Sequence, residues 1–377
     1  MKSLVVCFFA LALIFSFVGF AKAAEPICLG ILYDASGGAS DYSRYNLMNA
    51  ELAVEEVNQA GGIMGRHVEL IKEDDGNDPN VSPLRTRTLV KRGAVGIILG
   101  SGSASVLQAR VVAEEEKVPA FATVLNDKAA LPPNNNYVFK VNNTVTQQTN
   151  VLVATLKNRV KEIAIFTDTS PTGSGLANLF KKSLTDAGVN VLAIEALEVG
   201  ATDATALATR LRDKWKAPAI LISGQAPQEQ ALFVRTVRDM GWNVPLYQDV
   251  TAVSPSYRKL LGPKDMENLY YMEPIHPDNP LAQKWIKKFT AKYPNEQVLT
   301  TMGNVWNAVY LFKAGVEKAK SANGTAVRDA IEQICGMKSH FGPPTSTVCC
   351  SKENHLCADP NGIFLATYKN GKSVPVK

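Results

Sequence analysis

Short runs of β-branched and apolar residues alternate with segments of helical period along most of this chain. This alternation is typical of βα units, in which helices cover the faces of a parallel sheet. The runs form two series, so we expect an α/β protein with two open parallel sheets. The predicted strands lie at 27–32, 68–71, 94–99, 118–122 and 137–141, and then at 162–166, 190–194, 217–222, 246–247 and 269–272. Predicted helices lie between the first two strands and at 103–116, 146–158, 173–187, 205–215, 228–240, 280–293 and 304–320.

The composition excludes several classes of protein. With 46% hydrophobic and 20% charged residues, the chain is too apolar to be disordered. At roughly 150 residues per domain, a chain of this length has room for about two domains. The net charge of +5 is scattered rather than gathered into basic runs. We therefore expect no nucleic-acid partner.

Residues 1–23 have the three parts of a secretory signal peptide. Lys2 gives a basic start, an apolar stretch runs from Leu4 to Phe20, and Ala21-Lys22-Ala23 fits a cleavage site. The alternative is an uncleaved anchor, which we favour less because the apolar run is shorter than the ~20 residues of a spanning helix. The sequence therefore predicts an exported protein that is cleaved near Ala23.

The cysteines beyond this leader are clustered near the carboxyl terminus. In an oxidising compartment, such clustering favours disulfide bonds that hold a local loop, although the sequence leaves their pairing open. Cys28 lies apart from the others in an apolar run, and we expect it to be a free, buried thiol. The five cysteines are Cys28, Cys335, Cys349, Cys350 and Cys357.

Enzyme and cofactor interpretations find little support in the motifs. The sequence has no G-x-S-x-G or H-E-x-x-H pattern, so a hydrolase is not favoured. Gly100 and Gly102 open a glycine-rich loop, but Ser105 replaces the third glycine of a dinucleotide site. Cys349, Cys350, His355 and Cys357 admit zinc, but vicinal cysteines in an exported protein favour disulfides. We expect no catalytic residue, cofactor or metal.

Several blocks in order along the chain carry a family resemblance. Residues 58–66 read Asn-x-x-Gly-Gly-Ile-x-Gly-Arg and are followed by Asp74-Asp75 and Asp78-Pro79. With the small residues at 36–38 and 100–103, they make the chain from about residue 26 to 377 resemble the periplasmic substrate-binding proteins of the branched-chain amino acid type, which feed ABC importers.

The resemblance implies a type I periplasmic binding fold, in which two α/β lobes are joined by a three-crossover hinge. One lobe would be 24–143 plus 272–355, and the other 144–271 plus 356–377. A small-molecule solute would bind between them, where the carboxyl ends of parallel strands generally meet ligands. The resemblance also implies a periplasmic monomer whose partner is the membrane permease of an ABC transporter.

In the first lobe, the family pattern points to Tyr42 as a pocket-wall aromatic. Ala104 stands where the family often has a carboxylate-binding serine, so we expect Ser103 or Ser105 to contact the ligand at the start of a helix. Capping of that helix by Ser103 is the alternative. In the loop after the fourth predicted strand, Val124 and Asn126 occupy positions that hold the ligand's carboxylate. An Asx-turn at Asn126 is the alternative.

In the second lobe, Thr172 and Gln225 stand where amino-acid binders commonly have aromatic residues, and Asp249 stands where an acid pairs the ligand's ammonium. A solvated loop acid is the alternative interpretation of Asp249. These positions predict a binder of a small amino acid or carboxylate. The alternatives are an aromatic acid, an amide or urea-type solute, or a ligand-sensing protein on the same fold. Trp306 could line the cleft, although we favour a core position.

Overall fold

The computed structural model describes residues 25–224, 226–250, 255–298, 303–369 and 372–376. The predicted signal peptide at 1–23 and Gln225 lie outside the described residues. The strands are β1 (Ile27–Tyr33), β2 (Val68–Asp74), β3 (Ala94–Leu99), β4 (Ala120–Ala122), β5 (Val138–Lys140), β6 (Glu162–Asp168), β7 (Asn190–Leu197), β8 (Ile220–Ile222), β9 (Leu246–Gln248), β10 (Leu269–Glu273), β11 (Cys335–Lys338), β12 (Thr347–Cys349), β13 (Phe364–Lys369) and β14 (Lys372–Pro375).

The helices fall between the strands of each sheet and in one run after β10. They are α1 (Ser40–Gln59), α2 (Ser82–Lys91), α3 (Ser103–Glu115), α4 (Val145–Leu156), α5 (Pro171–Asp186), α6 (Thr205–Thr209), α7 (Pro227–Asp239), α8 (Pro255–Leu260), α9 (Pro280–Lys292), α10 (Gly303–Ala319) and α11 (Gly324–Ile331). The described residues also form a 3₁₀ turn at Asp127–Ala130 and a short π-helix at Arg210–Lys214. No helix of the described residues is long and apolar enough to cross a bilayer.

Two separate sheets organise these elements. The first is parallel and five-stranded, in the order β2-β1-β3-β4-β5. The second has the order β14-β13-β10-β9-β8-β6-β7, with β6 to β10 parallel and β13 and β14 antiparallel. Strands β11 and β12 form a small antiparallel ribbon. The predicted α/β class with two open sheets is confirmed.

Burial on both faces explains the composition of the parallel strands. In β1, Ile27, Leu29 and Ile31 lie in the core beneath α1, α9 and α10, whereas Leu32 lies on the opposite face in the core beneath α2 and α3. Strands covered on both faces read as continuous apolar runs rather than alternating ones. Such apolar runs in the sequence therefore predicted each of the parallel strands β1 to β10.

The end of α1 depends on glycine. Gly62 has a φ of 76°, in the left-handed region that favours glycine. A Cβ at this position would lie 1.9 Å from the Arg66 carbonyl oxygen. The Gly62 N–H donates to the Val57 carbonyl oxygen at 2.8 Å, which satisfies the last turn of the helix. The Gly-Gly pair thus turns the chain from α1 towards β2.

The chain passes between the two sheets three times. The first crossover runs from β5 to α4, the second from β10 to α9, and the third from Cys357 to β13. Helices α9, α10 and α11 return to pack against the first sheet, whereas β13 and β14 join the second. We call the first sheet with its helices the first lobe and the second sheet with its helices the second lobe. Strand β10 extends through Met272 and Glu273 in the second sheet.

The first and third crossovers are hydrogen-bonded to each other. The Lys140 N–H donates to the His355 carbonyl oxygen at 2.8 Å, and the Cys357 N–H donates to the Lys140 carbonyl oxygen at 2.9 Å. The Asn143 side chain donates to the Asp359 carbonyl oxygen at 2.8 Å. The first and third crossovers are therefore held side by side.

Four cysteines form two disulfides, as the sequence predicted, with the pairs Cys335–Cys349 and Cys350–Cys357. The thiolates that a zinc site would need are therefore bonded to each other. Within the described residues, no cluster of His, Cys, Asp and Glu is arranged to hold a metal ion. Cys28 has a free thiol, but it is half-buried rather than buried, because it lies near the edge of the sheet beside Glu69.

The exposure of the disulfides predicts their order of reduction. Cys335 and Cys349 are exposed, whereas Cys350 and Cys357 are buried. We expect mild reductant followed by alkylation and peptide mapping to label Cys335 and Cys349 first. Before reduction, the chain from residue 24 should show one thiol, that of Cys28. Labelling of all four cysteines together would contradict this arrangement.

The side-chain amine of Lys140 lies in the first crossover, and the residue is fully buried. Its Nζ donates to the Asn142 Oδ1 at 2.7 Å and to the carbonyl oxygens of Asn142 and Asn143 at 3.2 and 3.0 Å. Burial lowers the pKa of Lys140 to about 7, and the charge of Asp127 opposes this shift only in part. The folded protein thus holds an amine that loses its proton near neutral pH.

The buried amine predicts how stability depends on pH. The unfolded chain keeps this proton up to about pH 10.5, whereas the folded chain releases it near pH 7. The free energy of unfolding should therefore rise by about 2 kcal/mol between pH 7 and 9 from this group. Urea titrations at both pH values measure the rise.

Lys140→Met should remove this increment, because its side chain has a similar length and no proton to lose. Lys157→Met, at an exposed lysine after α4, should keep it. An equal pH slope in Lys140→Met and in the unmodified chain would contradict the assignment.

Candidate functional site

A narrow cavity lies where the two lobes and the three crossovers meet, and in this structure it has room for about one water molecule. Leu125 follows β4 of the first lobe, and Val250 follows β9 of the second. The crossovers supply the floor through Asn142, Asn143, Pro274 and Ile363. Gln148 of α4, Asn304 of α10 and Phe341 close the remaining sides. Because the carboxyl ends of strands from both sheets reach this cavity, it is the candidate ligand site.

The loop after β1 is organised by a buried carboxylate that the sequence analysis did not single out. Asp34 has no exposed surface and accepts hydrogen bonds from the N–H groups of Ser36, Gly37 and Ala39. Tyr42, predicted as a pocket wall, lies in the first turn of α1 and is 43% exposed. An acid directly after an apolar run and before Ser-Gly-Gly is the sequence signal that could have identified Asp34.

The serines of the loop after β3 differ in whether their hydroxyls are already hydrogen-bonded within the protein. Ser105 is fully buried, and its hydroxyl donates to the Asn77 Oδ1 at 3.4 Å. Ser101 is also buried and donates to the Asp75 Oδ1 at 2.7 Å. Ser103 is half-buried, and its hydroxyl has no hydrogen-bond partner among the described residues. Of the two predicted ligand-binding serines, Ser103 is therefore the one with a spare hydroxyl.

Helix α3 presents open backbone donors beside Ser103. The residue that caps this helix is Gly102, which makes no side-chain hydrogen bond, so the alternative of capping by Ser103 is wrong. The first N–H groups of a helix lack intrahelical partners and carry a partial positive charge. Together with the Ser103 hydroxyl, they form a site suited to a carboxylate.

In the loop after β4, the side chains of the predicted residues Asn126 and Val124 contact the protein itself. The Asn126 Oδ1 accepts from the Lys128 N–H at 3.0 Å and caps the 3₁₀ turn at Asp127–Ala130. This is the Asx-turn that the sequence left open as the alternative. Val124 is buried in the apolar core of the first lobe. The loop residue that reaches the cavity is Leu125.

In the second lobe, Asp249 follows β9 and is 6% exposed, so it is not a solvated loop acid. The Gly224 N–H donates to its Oδ2 at 3.4 Å. Thr172 is exposed in the first turn of α5 and does not line the cavity. Of the predicted residues in this lobe, Asp249 thus lies nearest in sequence to a cavity residue, Val250.

Asp168 of the second lobe mirrors Asp34 of the first. It ends β6, is fully buried, and accepts from the N–H groups of Ser170 and Ala226 at 3.1 Å each. Each sheet therefore has a buried acid that orders the loop after one of its strands. These two acids position backbone at the carboxyl ends of the sheets, where a ligand would contact it.

Trp306 belongs to the core. It is 1% exposed, and its Nε1 donates to the Asn49 Oδ1 at 3.0 Å. The core position that we favoured is confirmed. Its neighbour two residues earlier, Asn304, faces the cavity instead.

Similarity to known proteins agrees with this architecture. The chain is 26% identical over 313 residues to "Leu/Ile/Val-binding protein homolog 3" of Brucella melitensis, covering 82% of this chain and 84% of that protein. It is 24% identical over 325 residues to the "Leucine-, isoleucine-, valine-, threonine-, and alanine-binding protein" of Pseudomonas aeruginosa, covering 86% of each.

Solved structures share the fold. A type 1 periplasmic binding protein from Bordetella pertussis Tohama I superposes with a TM-score of 0.77 at 22% identity, covering 93% of this chain and 100% of that one. The isoleucine complex of LivJ from Streptococcus pneumoniae gives 0.76 at 20% identity, covering 92% and 97%. The model of the family described as "Periplasmic binding protein" matches residues 26–372. The chain therefore belongs to the periplasmic binding protein family.

Proposed function

We propose that this chain is a periplasmic solute-binding protein that captures a small amino acid or carboxylate between its lobes and delivers it to the permease of an ABC transporter. The proposal rests on the cavity lined by Leu125 of the first lobe, Val250 of the second and all three crossovers. The relatives from Brucella melitensis and Pseudomonas aeruginosa are named as amino-acid-binding proteins, which supports the solute class. We further propose that the chain works as a monomer after cleavage near Ala23.

The mechanism is capture by closure rather than chemistry. A solute that contacts both lobes stabilises the closed state and shifts the population towards it. A solute held by one lobe alone would bind without this shift. The crossovers allow such a motion because they are short segments at the ends of strands, where a few backbone angles absorb a rotation. In the lobe division proposed here, 24–143 plus 274–355 moves against 144–273 plus 356–377, because Met272 and Glu273 pair within the second sheet.

Opposite charges on the solute would meet different lobes. Ser103 and the open N–H groups of α3 would hold a carboxylate on the first lobe. Asp249 would pair an ammonium on the second lobe, where its burial strengthens the interaction. A zwitterionic amino acid would then bridge the cleft through its α-carbon.

A thermal-shift screen of residues 24–377 tests the proposal directly. The panel is amino acids, simple carboxylates, aromatic acids, amides and urea. A true ligand should raise the melting temperature, since binding at 100 times Kd stabilises the folded state by about 2.7 kcal/mol. Asp249→Asn should abolish the shift for an amino acid but spare one for a simple carboxylate.

Asp239→Asn is the control for the screen, because Asp239 is an exposed acid at the end of α7 in the same lobe. It should leave every shift unchanged. No shift with any member of the panel would refute the proposed function. A rise in melting temperature with aromatic acids alone, or with urea alone, would instead identify the solute as one of the alternatives.

The two predicted serines provide a matched test of the carboxylate site. Ser103→Ala should weaken binding of a carboxylate ligand by roughly ten- to a hundredfold, because a hydrogen bond to a charged group is worth about 1.5–3 kcal/mol. Ser105→Ala should leave affinity unchanged, because its hydroxyl is used by Asn77 within the first lobe. Isothermal titration calorimetry measures both.

Equal losses of affinity in the two variants would mean that the loop acts only as a folded unit. Melting curves of both variants without ligand control for that outcome.

A further inference from the structure

Two amide side chains face the cavity from opposite lobes without hydrogen-bond partners in the described chain. Asn304, on α10 of the first lobe, is 2% exposed, and its Oδ1 is buried and unpaired. Gln148, on α4 of the second lobe, is 6% exposed, and its side chain likewise makes no hydrogen bond among the described residues. The two are the polar groups of the cavity that the fold itself leaves unused.

The neighbouring amides behave differently. The Asn142 Oδ1 accepts from Lys140, and its Nδ2 donates to the Thr123 carbonyl oxygen at 3.2 Å. Asn143 donates to Asp359 across the crossovers. These two side chains hold the hinge together, which accounts for their burial. No such structural use accounts for Asn304 or Gln148.

Buried polar groups in folded proteins nearly always have a partner, because an unpaired one loses its hydration without compensation. An exception calls for a partner from outside the chain, such as an ordered water, an ion or a group of a ligand. An unpaired amide from each lobe, both lining one cavity, therefore points to a ligand group that bonds both at once.

The other cavity residues define the chemistry of that group. The lining residues carry no charge, so a carboxylate or an ammonium placed here would be desolvated without an ion pair. Leu125, Val250, Phe341 and Ile363 supply apolar contact for methylene groups. A purely aliphatic end would pack against them but would leave both amides unpaired. The matching group is neutral and both donates and accepts hydrogen bonds.

We propose that this cavity, once a movement of the lobes has widened it, is the subsite for the far end of the solute and that it selects a primary carboxamide, held between Asn304 and Gln148. The inference rests on the proposed function and narrows its solute to an amino acid or carboxylate that ends in an amide. A carboxamide has an oxygen that accepts and a nitrogen that donates two hydrogens, so it can bond an amide side chain on each side. Bonding both lobes at once also favours the closed state.

Calorimetry on residues 24–377 tests the selection with matched solutes. L-asparagine and L-leucine have side chains of nearly the same shape, and L-glutamine and L-glutamate differ in charge at one group. We expect asparagine or glutamine to bind at least tenfold more tightly than leucine, and glutamate to bind more weakly than glutamine. Leucine binding as tightly as both amides, or more tightly, would overturn the inference while leaving the proposed function intact.

Variants assign the preference to the two residues. Asn304→Leu and Gln148→Met replace each amide by an apolar side chain of similar size, and each should reduce the ratio of amide to leucine affinity at least tenfold. Asn178→Leu, at an exposed position of α5, is the control and should leave the ratio unchanged.

Unchanged ratios in both folded variants would overturn the subsite. If either variant fails to fold, the comparison of solutes on the unmodified chain still decides the outcome. If no amino acid or carboxylate binds at all, the proposed function fails, and this inference falls with it.

Discussion

The pairing of the first and third crossovers is the constraint on which the rest of the structure depends. Lys140 is bonded through its backbone to His355 and Cys357, and Asn143 is bonded to Asp359. These bonds fix the point at which β5 leaves the first sheet and the chain returns towards β13. Because the carboxyl ends of both sheets are anchored to this junction, they face a common cavity.

The junction is reinforced from the side of the disulfide ribbon. Cys350–Cys357 ties the start of the third crossover to the segment after β12, and Cys335–Cys349 joins β11 to β12. A cross-link removes conformational freedom mainly from the unfolded chain. The ribbon therefore anchors the start of the third crossover on the first lobe.

Burial of polar groups distinguishes the structural parts of the site from the parts open to a ligand. Asp34 and Asp168 are saturated by backbone N–H groups and serve the loops themselves. The Ser105 hydroxyl and the Asn126 Oδ1 are likewise hydrogen-bonded within the first lobe. Ser103, Asn304 and Gln148 have polar atoms to spare within the described chain, and the proposals on solute recognition rest on them together with the buried Asp249.

The sequence by itself determined the α/β class, the two series of parallel strands, the oxidised cysteines and the family, because apolar runs, helical periods and local motifs are written in contiguous residues. It did not reveal the antiparallel strands β13 and β14, since short strands that mix polar and apolar residues give a weak signal. Only the tertiary structure decided which of two neighbouring serines has a spare hydroxyl and which asparagine caps a turn. It alone brought Gln148 and Asn304 to one cavity, although they lie far apart in the chain. The physical reason is that hydrogen-bond satisfaction depends on every group within about 3.5 Å in space, and sequence neighbours supply only some of those groups.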